Sequence, residues 1–206
     1  MADDTRPQVY LSTPPAFELS TFPARLAEVL DAFDVACVRL SMATSDESTL
    51  SRAGDTLRPI CHEADVALVI ETHVGLVERL GLDGVHLLDG ARTMRAVRKT
   101  LGADAIIGAY CGASRHDGIT AAEIGADYVS FGPAGDTALG DGTKADHDLF
   151  AWWSEMIEVP VVAEGALTPE VIRALAPVTD FFGIGEEIWR EDDAAQALGQ
   201  LIEAMS

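Results

Sequence analysis

The feature that most constrains this chain is an alternation. Short aliphatic or β-branched runs and amphipathic stretches follow one another eight times, at a spacing of about 25 residues. The strand-like runs occupy 9–13, 35–41, 66–72, 84–88, 105–111, 128–132, 159–165 and 180–185. Most are apolar on both faces, which suits parallel strands covered by helices. Helical patterns fill 20–33, 47–63, 74–80, 91–101, 115–124, 147–158, 169–176 and 192–205. Thr168-Pro169 reads as an N-cap followed by proline at the first helical position. Gly81, Gly102 and Gly125 stand where three helices must stop before the next strand. No linker or composition break interrupts the series, so residues 1–206 are expected to form one domain. A doubly wound open sheet needs fewer strands for this length. Eight units closing on themselves form an α/β (β/α)8 TIM barrel, on the small side for that fold.

Charge narrows the partners. The net charge is −20, from 34 acidic and 14 basic residues. Such a surface repels nucleic acid and anionic membranes. It also slows a pyrophosphate substrate unless local cations or a metal reverse the field; otherwise it serves solubility or a salty cytoplasm. No apolar run reaches the ~20 residues of a membrane span, and the first residues lack the pattern of a signal peptide. Cys37, Cys61 and Cys111 are odd in number and far apart, which implies reduced thiols, no zinc site and a cytoplasmic protein. A small-molecule ligand is the expected partner.

One loop stands out. "VSFGPAGDTALGDGTKAD", residues 129–146, carries four glycines and one cation, Lys144. In a barrel it is the sixth βα loop, on the face where chemistry sits. Glycines let backbone amides approach a ligand closely, yet Asp136, Asp141 and Asp146 surround the lysine. It is either a ligand lid or a solvated connection.

The segments "GLDGVHLLD" (81–89), "AIIGAYC" (105–111), "IGADYVSFGP" (124–133), "VPVVAEGALTPE" (159–170) and "DFFGIGEEIW" (180–189) recur in order. Together they resemble the thiamine-phosphate synthase family, which includes a thiazole tautomerase branch. The resemblance runs from the first strand to the last helix. It implies a barrel that joins hydroxymethylpyrimidine diphosphate to a thiazole phosphate, with magnesium holding the diphosphate and pyrophosphate leaving.

Several positions depart from that pattern. Where the family grips the diphosphate with Gln, Arg and Lys, "ACVRLSMA" (36–43) keeps Arg39 alone, with Cys37 and Ser41 on the same face. Arg39 either meets an anion or pairs with a carboxylate such as Glu71. The family's Asn-Asp pair is replaced by Glu71 and Thr72, and its second aspartate falls near Ala91, with Asp89 two residues earlier. Magnesium is therefore implied by the resemblance, but its usual ligands are not kept. Glu71 and Asp89 either rebuild a site or are solvated acids. The fifth strand, where the family carries a serine, ends here in Tyr110 and Cys111. His116, an acid–base candidate, lies beyond the family's histidine position at a helix start capped by Ser114; it is otherwise a cap or surface histidine. Arg115 and His116 there hint at an anion or a partner carboxylate.

Thr143-Lys144 matches the family's phosphate-contacting dipeptide. Gly165 fits a phosphate-binding glycine, but Ala166 follows it and Glu164 precedes it. Gly183 and Gly185 keep the eighth strand open, while the family's serine is replaced by Glu186, beside Glu187. Glu186 is expected to compete with phosphate for the local amides. Three functions remain: a synthase with a rearranged site, an isomerase or hydrolase using Glu71, His86, Tyr110 and Glu164, or a binding protein that has lost catalysis. Of Trp152 and Trp153, one is expected to pack on the strands and the other to mark a homodimer contact.

Overall fold

The computed structural model describes residues 6–137 and 143–206; of the domain expected over 1–206, residues 1–5 and 138–142 lie outside them. Eight parallel strands close in sequence order, each bonded to its neighbours and β8 to β1. The strands are β1 (Gln8–Ser12), β2 (Val35–Leu40), β3 (Ala67–Glu71), β4 (Gly84–Leu87), β5 (Ile106–Tyr110), β6 (Tyr128–Phe131), β7 (Val161–Glu164) and β8 (Phe181–Ile184). The helices are α1 (Phe22–Ala32), α2 (Glu47–Glu63), α3 (Val74–Leu80), α4 (Met94–Leu101), α5 (Arg115–Ile124), α6 (His147–Met156), α7 (Pro169–Leu175), α8 (Glu186–Trp189) and α9 (Ala194–Glu203). The expected barrel is the observed one.

Local chemistry sets the helix ends. Asp46 caps α2 by accepting from the Thr49 amide at 2.9 Å, and Thr168 caps α7 through the Val171 amide. Gly81 and Gly125 end α3 and α5 with φ of 64° and 104°, values a β-carbon disfavours. Two differences from the sequence reading are informative. Helix α4 begins at Met94 rather than residue 91, because 91–93 form a turn in which Thr93 bonds Asp89. Helix α8 was not anticipated; its single turn is anchored by Trp189, whose indole donates to the Ser12 carbonyl at 2.7 Å.

The main core lies between sheet and helices, where outward strand residues such as Leu11, Val38, Ile70 and Phe131 meet Leu26, Leu57 and Trp153. A smaller cluster inside the barrel joins Tyr10, Cys37, Val69, Tyr128 and Val162. Its rings also share polar atoms. The Tyr10 and Tyr128 hydroxyls lie 2.6 Å apart, and Tyr128 OH lies 2.9 Å from His86 Nδ1. Three aspartates tie the bottom of the barrel together. Asp83, Asp127 and Asp180, each just before a strand, accept the amides of Leu68, Ile107 and Val161 at 2.7, 2.7 and 2.8 Å. These are the aspartates of "LDGVHL", "GADYVSF" and "VTDFFGI": part of the recurring motif is scaffold, not site.

Candidate functional site

The C-terminal ends of the strands surround a cavity of about 510 Å3. Arg39, Tyr110, Glu164, Gly165, Gly185 and Glu187 are among its lining. Larger hollows lie at the other end of the barrel, between the strand starts and the last helix, and include none of these side chains. In (β/α)8 enzymes chemistry gathers at the C-terminal face, so the mouth is the candidate site.

Arg39 organises it. Strand β2 points the side chain inward, where it is 7 % exposed. Its Nη2 donates to Glu164 Oε2 at 2.6 Å, and its Nε lies 3.3 Å from Glu71 Oε1 and 3.4 Å from Ser12 Oγ. The Tyr10 ring lies beneath the guanidinium, 5.5 Å away. Arg39 makes the carboxylate pair, with Glu71 and, more tightly, with Glu164 from across the barrel. Ser130 donates to Glu164 Oε1 at 2.8 Å and Ser41 to Glu71 Oε1 at 2.6 Å. Burial alone would raise the Glu164 carboxyl, but the Arg39 charge and hydrogen bond, with the Ser130 bond, hold it below the usual carboxylate range. Arg39 is pushed further toward its charged form: burial opposes the charge, and Glu164 more than offsets it.

Glycines shape the far wall. A β-carbon on Gly183 would lie 2.8 Å from Glu164 Cβ, so this position must stay bare for Glu164 to reach Arg39. Gly165 (φ 87°) and Ala166 (φ 52°) both turn through the left-handed region, so the alanine keeps the bend a glycine would make more cheaply. The local amides are taken by the neighbouring glutamate rather than by Glu186. Glu187 accepts the Gly185 amide at 2.8 Å and the Leu167 amide at 3.2 Å, closing the β7 and β8 loops on each other. Glu186 lines the cavity yet turns outward to Arg190, one helical turn on, at 2.8 Å.

Other expected residues are placed differently. Tyr110 is half-buried and donates to the Gly132 carbonyl at 2.7 Å; burial and Glu164 push its phenol upward. Thr72 has φ of 56°, is exposed, and lines a separate hollow of 430 Å3 with Glu71, His73 and Leu88. His86 is fully buried below the cavity. Burial first, then Arg39, lower its pKa to about 3, which keeps the ring neutral. His116 is exposed in the first turn of α5 and is not among the cavity-lining residues. The Arg115 guanidinium beside it stacks on Trp152 at 4.2 Å. Trp153 is the packing tryptophan, buried against Phe131 and bonded to the Val159 carbonyl.

Of the sixth loop, Gly140, Asp141 and Gly142 lie outside the described residues. Lys144, exposed, pairs with Asp136 at 3.0 Å, and Thr143 precedes it. Asp146 is used as the N-cap of α6.

The residues do not fit magnesium. Glu71 already holds Arg39 and Ser41, Asp89 is exposed and holds Thr93, and no cluster of three acid, histidine or cysteine side chains among the described residues suits a metal. The sequence signal missed at this site is Glu187, whose role depends on two loops meeting.

The fold and this mouth define a small (β/α)8 barrel of the kind that handles small molecules above its strand ends. The family model for thiamine monophosphate synthase matches residues 9–180. The chain is 41% identical over 184 residues to a thiamine-phosphate synthase of Rhodospirillum centenum, covering 88% of this chain and 89% of that protein. It is 36% identical to one of Erythrobacter litoralis, covering 96% of each. A thiamine phosphate pyrophosphorylase structure from Pyrococcus furiosus superposes with a TM-score of 0.84 at 20% identity, covering 98% of this chain and 96% of that one. The chain belongs to the thiamine-phosphate synthase family.

Proposed function

We propose that the protein holds a small molecule of the thiamine-precursor type in the barrel mouth and performs the family's coupling step slowly or not at all. Arg39 carries this reading. A buried guanidinium already bonded to Glu164 and flanked by Glu71 offers little to a diphosphate, whose departure needs cations around its oxygens. Lys144, Thr143, Tyr110, Gly165, Gly185 and Glu186 are the proposed ligand contacts beside Arg39, Glu71, Thr72 and Glu164. His116 keeps a proposed acid–base role only for a ligand long enough to leave the cavity.

Acid–base chemistry by Glu71, His86, Tyr110 and Glu164 is the less favoured reading. Glu164 is held ionised by Arg39, Tyr110 is shifted upward and His86 titrates near 3, so these three are not poised near neutral pH. Helices of the described residues include none long and apolar enough to cross a membrane.

The test is a coupling assay on purified protein with hydroxymethylpyrimidine diphosphate, thiazole phosphate and magnesium, beside calorimetry with each precursor. Measurable binding with coupling at least about a hundredfold below a typical enzyme kcat of ~10 per second is expected. Coupling at a typical rate would overturn the reading and establish a synthase with a rearranged site.

A further inference from the structure

Inside the barrel, beneath the mouth, three polar side chains form a column. His86 Nδ1 lies 2.9 Å from the Tyr128 hydroxyl, and that hydroxyl lies 2.6 Å from the Tyr10 hydroxyl. The His86 and Tyr128 rings stack at 5.6 Å, and the Tyr10 ring lies 5.5 Å from the Arg39 guanidinium. Room for the column is specific: a β-carbon on Gly108 would stand 2.0 Å from Tyr128 Cζ. Above it, Arg39 uses Nη2 for Glu164 and Nε for Glu71 and Ser12, and no hydrogen bond or ion pair among the described residues uses Nη1. Because Arg39 lines the cavity, Nη1 is the edge left for a phosphate oxygen of a ligand there. Resting on the reading of the mouth as a thiamine-precursor site, we infer that His86, Tyr128 and Tyr10 are positioning residues: they set the tilt of the Arg39 guanidinium, and with it the affinity of the Nη1 edge for a phosphorylated precursor.

The protons of the column follow from its one unpartnered atom. His86 Nε2 is buried and bonds nothing among the described residues. A buried N–H without an acceptor is rarer than a free lone pair, so the proton of the neutral ring sits on Nδ1. Nδ1 then donates to the Tyr128 oxygen, Tyr128 donates to the Tyr10 oxygen, and Tyr10 donates to the Cys37 sulfur. The Cys37 thiol itself reaches the Val38 carbonyl at 3.7 Å. Every donor has an acceptor in this direction, whereas the reverse direction strands a proton on Nε2. A buried column with all its donors in use is stiff, because no hydroxyl can turn without breaking a bond. The Tyr10 ring therefore holds the guanidinium in one plane while two carboxylates draw on its Nη2 and Nε.

The test is calorimetry on the full chain at one ionic strength with hydroxymethylpyrimidine diphosphate and with hydroxymethylpyrimidine, which lacks the phosphates. Tyr128→Phe keeps the ring and removes the middle hydroxyl. It is expected to weaken diphosphate binding roughly three- to tenfold, the scale of coupling between touching groups, and to change the alcohol less than about twofold. Tyr10→Phe, which keeps a ring under Arg39, is expected to lose less diphosphate affinity than Tyr10→Leu, which does not. In an Arg39→Gln background, Tyr128→Phe is expected to change diphosphate affinity less than about twofold, because the group it positions is gone. Circular dichroism checks that each variant folds. Nitrogen chemical shifts of labelled histidine at pH 7 are expected to place the His86 proton on Nδ1; a proton on Nε2 overturns the direction of the column. If Tyr128→Phe lowers Tm but leaves the ratio of the two affinities unchanged, or acts equally with and without Arg39, the column is scaffold and the positioning role is overturned. That result leaves wild-type binding, and so the precursor reading, intact; a wild type that binds neither compound overturns both. If Arg39→Gln does not fold, the affinity ratios and the two Tyr10 variants still decide.

Discussion

Replacing Glu164 by glutamine isolates the pair at the centre of the mouth. The side chain keeps its volume and an oxygen for Arg39, but Arg39 then keeps only Glu71, at 3.3 Å, as a charged partner. Removing one member of a buried ion pair costs ~3–5 kcal/mol; with Glu71 retained, the expected loss is about 2–3 kcal/mol. For a chain of this size each kcal/mol lowers Tm by roughly 2–4 °C, so Glu164→Gln is expected to melt about 4–12 °C below the wild type. Because the folded-state pKa of Glu164 lies below the usual value of about 4.5, its contribution is fully present above that pH and is lost as pH falls through the folded value. The gap between wild type and variant therefore closes in acid. The double change Arg39→Met with Glu164→Met removes both charges and is expected to regain most of the loss. Chemical denaturation at pH 7 and at pH 4 measures all three proteins. A loss under about 0.5 kcal/mol for Glu164→Gln, or a double variant no better than the single one, refutes the assignment of the pair as a mutually dependent unit.

Three further outcomes follow from the same structure. Because His86 is held neutral down to about pH 3 while an unfolded histidine titrates near 6.5, the unfolded state takes up the proton first; stability is expected to fall from about pH 6.5 downward by ~1 kcal/mol per unit, and His86→Gln to flatten that slope. Nitrogen chemical shifts that show the folded-state ring titrating near 6.5 would contradict it. Gly108→Ala drives a β-carbon into the Tyr128 ring and is expected to cost ~1–3 kcal/mol in urea unfolding, with Tyr128 displaced from His86; an unchanged midpoint would count against the packing described. Lys144→Ala is expected to leave stability within about 0.5 kcal/mol, as its pair with Asp136 is exposed, while weakening any residual pyrophosphate binding severalfold; Asp136→Asn is expected to strengthen it, and opposite signs in calorimetry would remove the sixth loop from the site.

Much of the architecture was written in local patterns. Apolar runs at barrel spacing, Gly81 and Gly125 at helix ends and the Thr168-Pro169 cap each act within a few residues of themselves, so no knowledge of the rest of the chain is needed to read them. The altered positions around Arg39, Glu71 and Glu164 were also visible one by one. Their pairing was not. Glu71 is offered by the adjacent strand, but the shorter bond runs to Glu164, 125 residues away, and exists only because closing the barrel brings β2 and β7 face to face across its interior. The same limit applies to Glu186 and Glu187. Neighbours in sequence, they part company at the first turn of α8: one turns toward Arg190 in solvent, the other folds back to the amides of two loops. Side-chain identity and spacing decide which elements form; which carboxylate meets which charge depends on the placement of α8 against β7 and β8, and that placement comes from tertiary contacts such as Trp189 on Ser12.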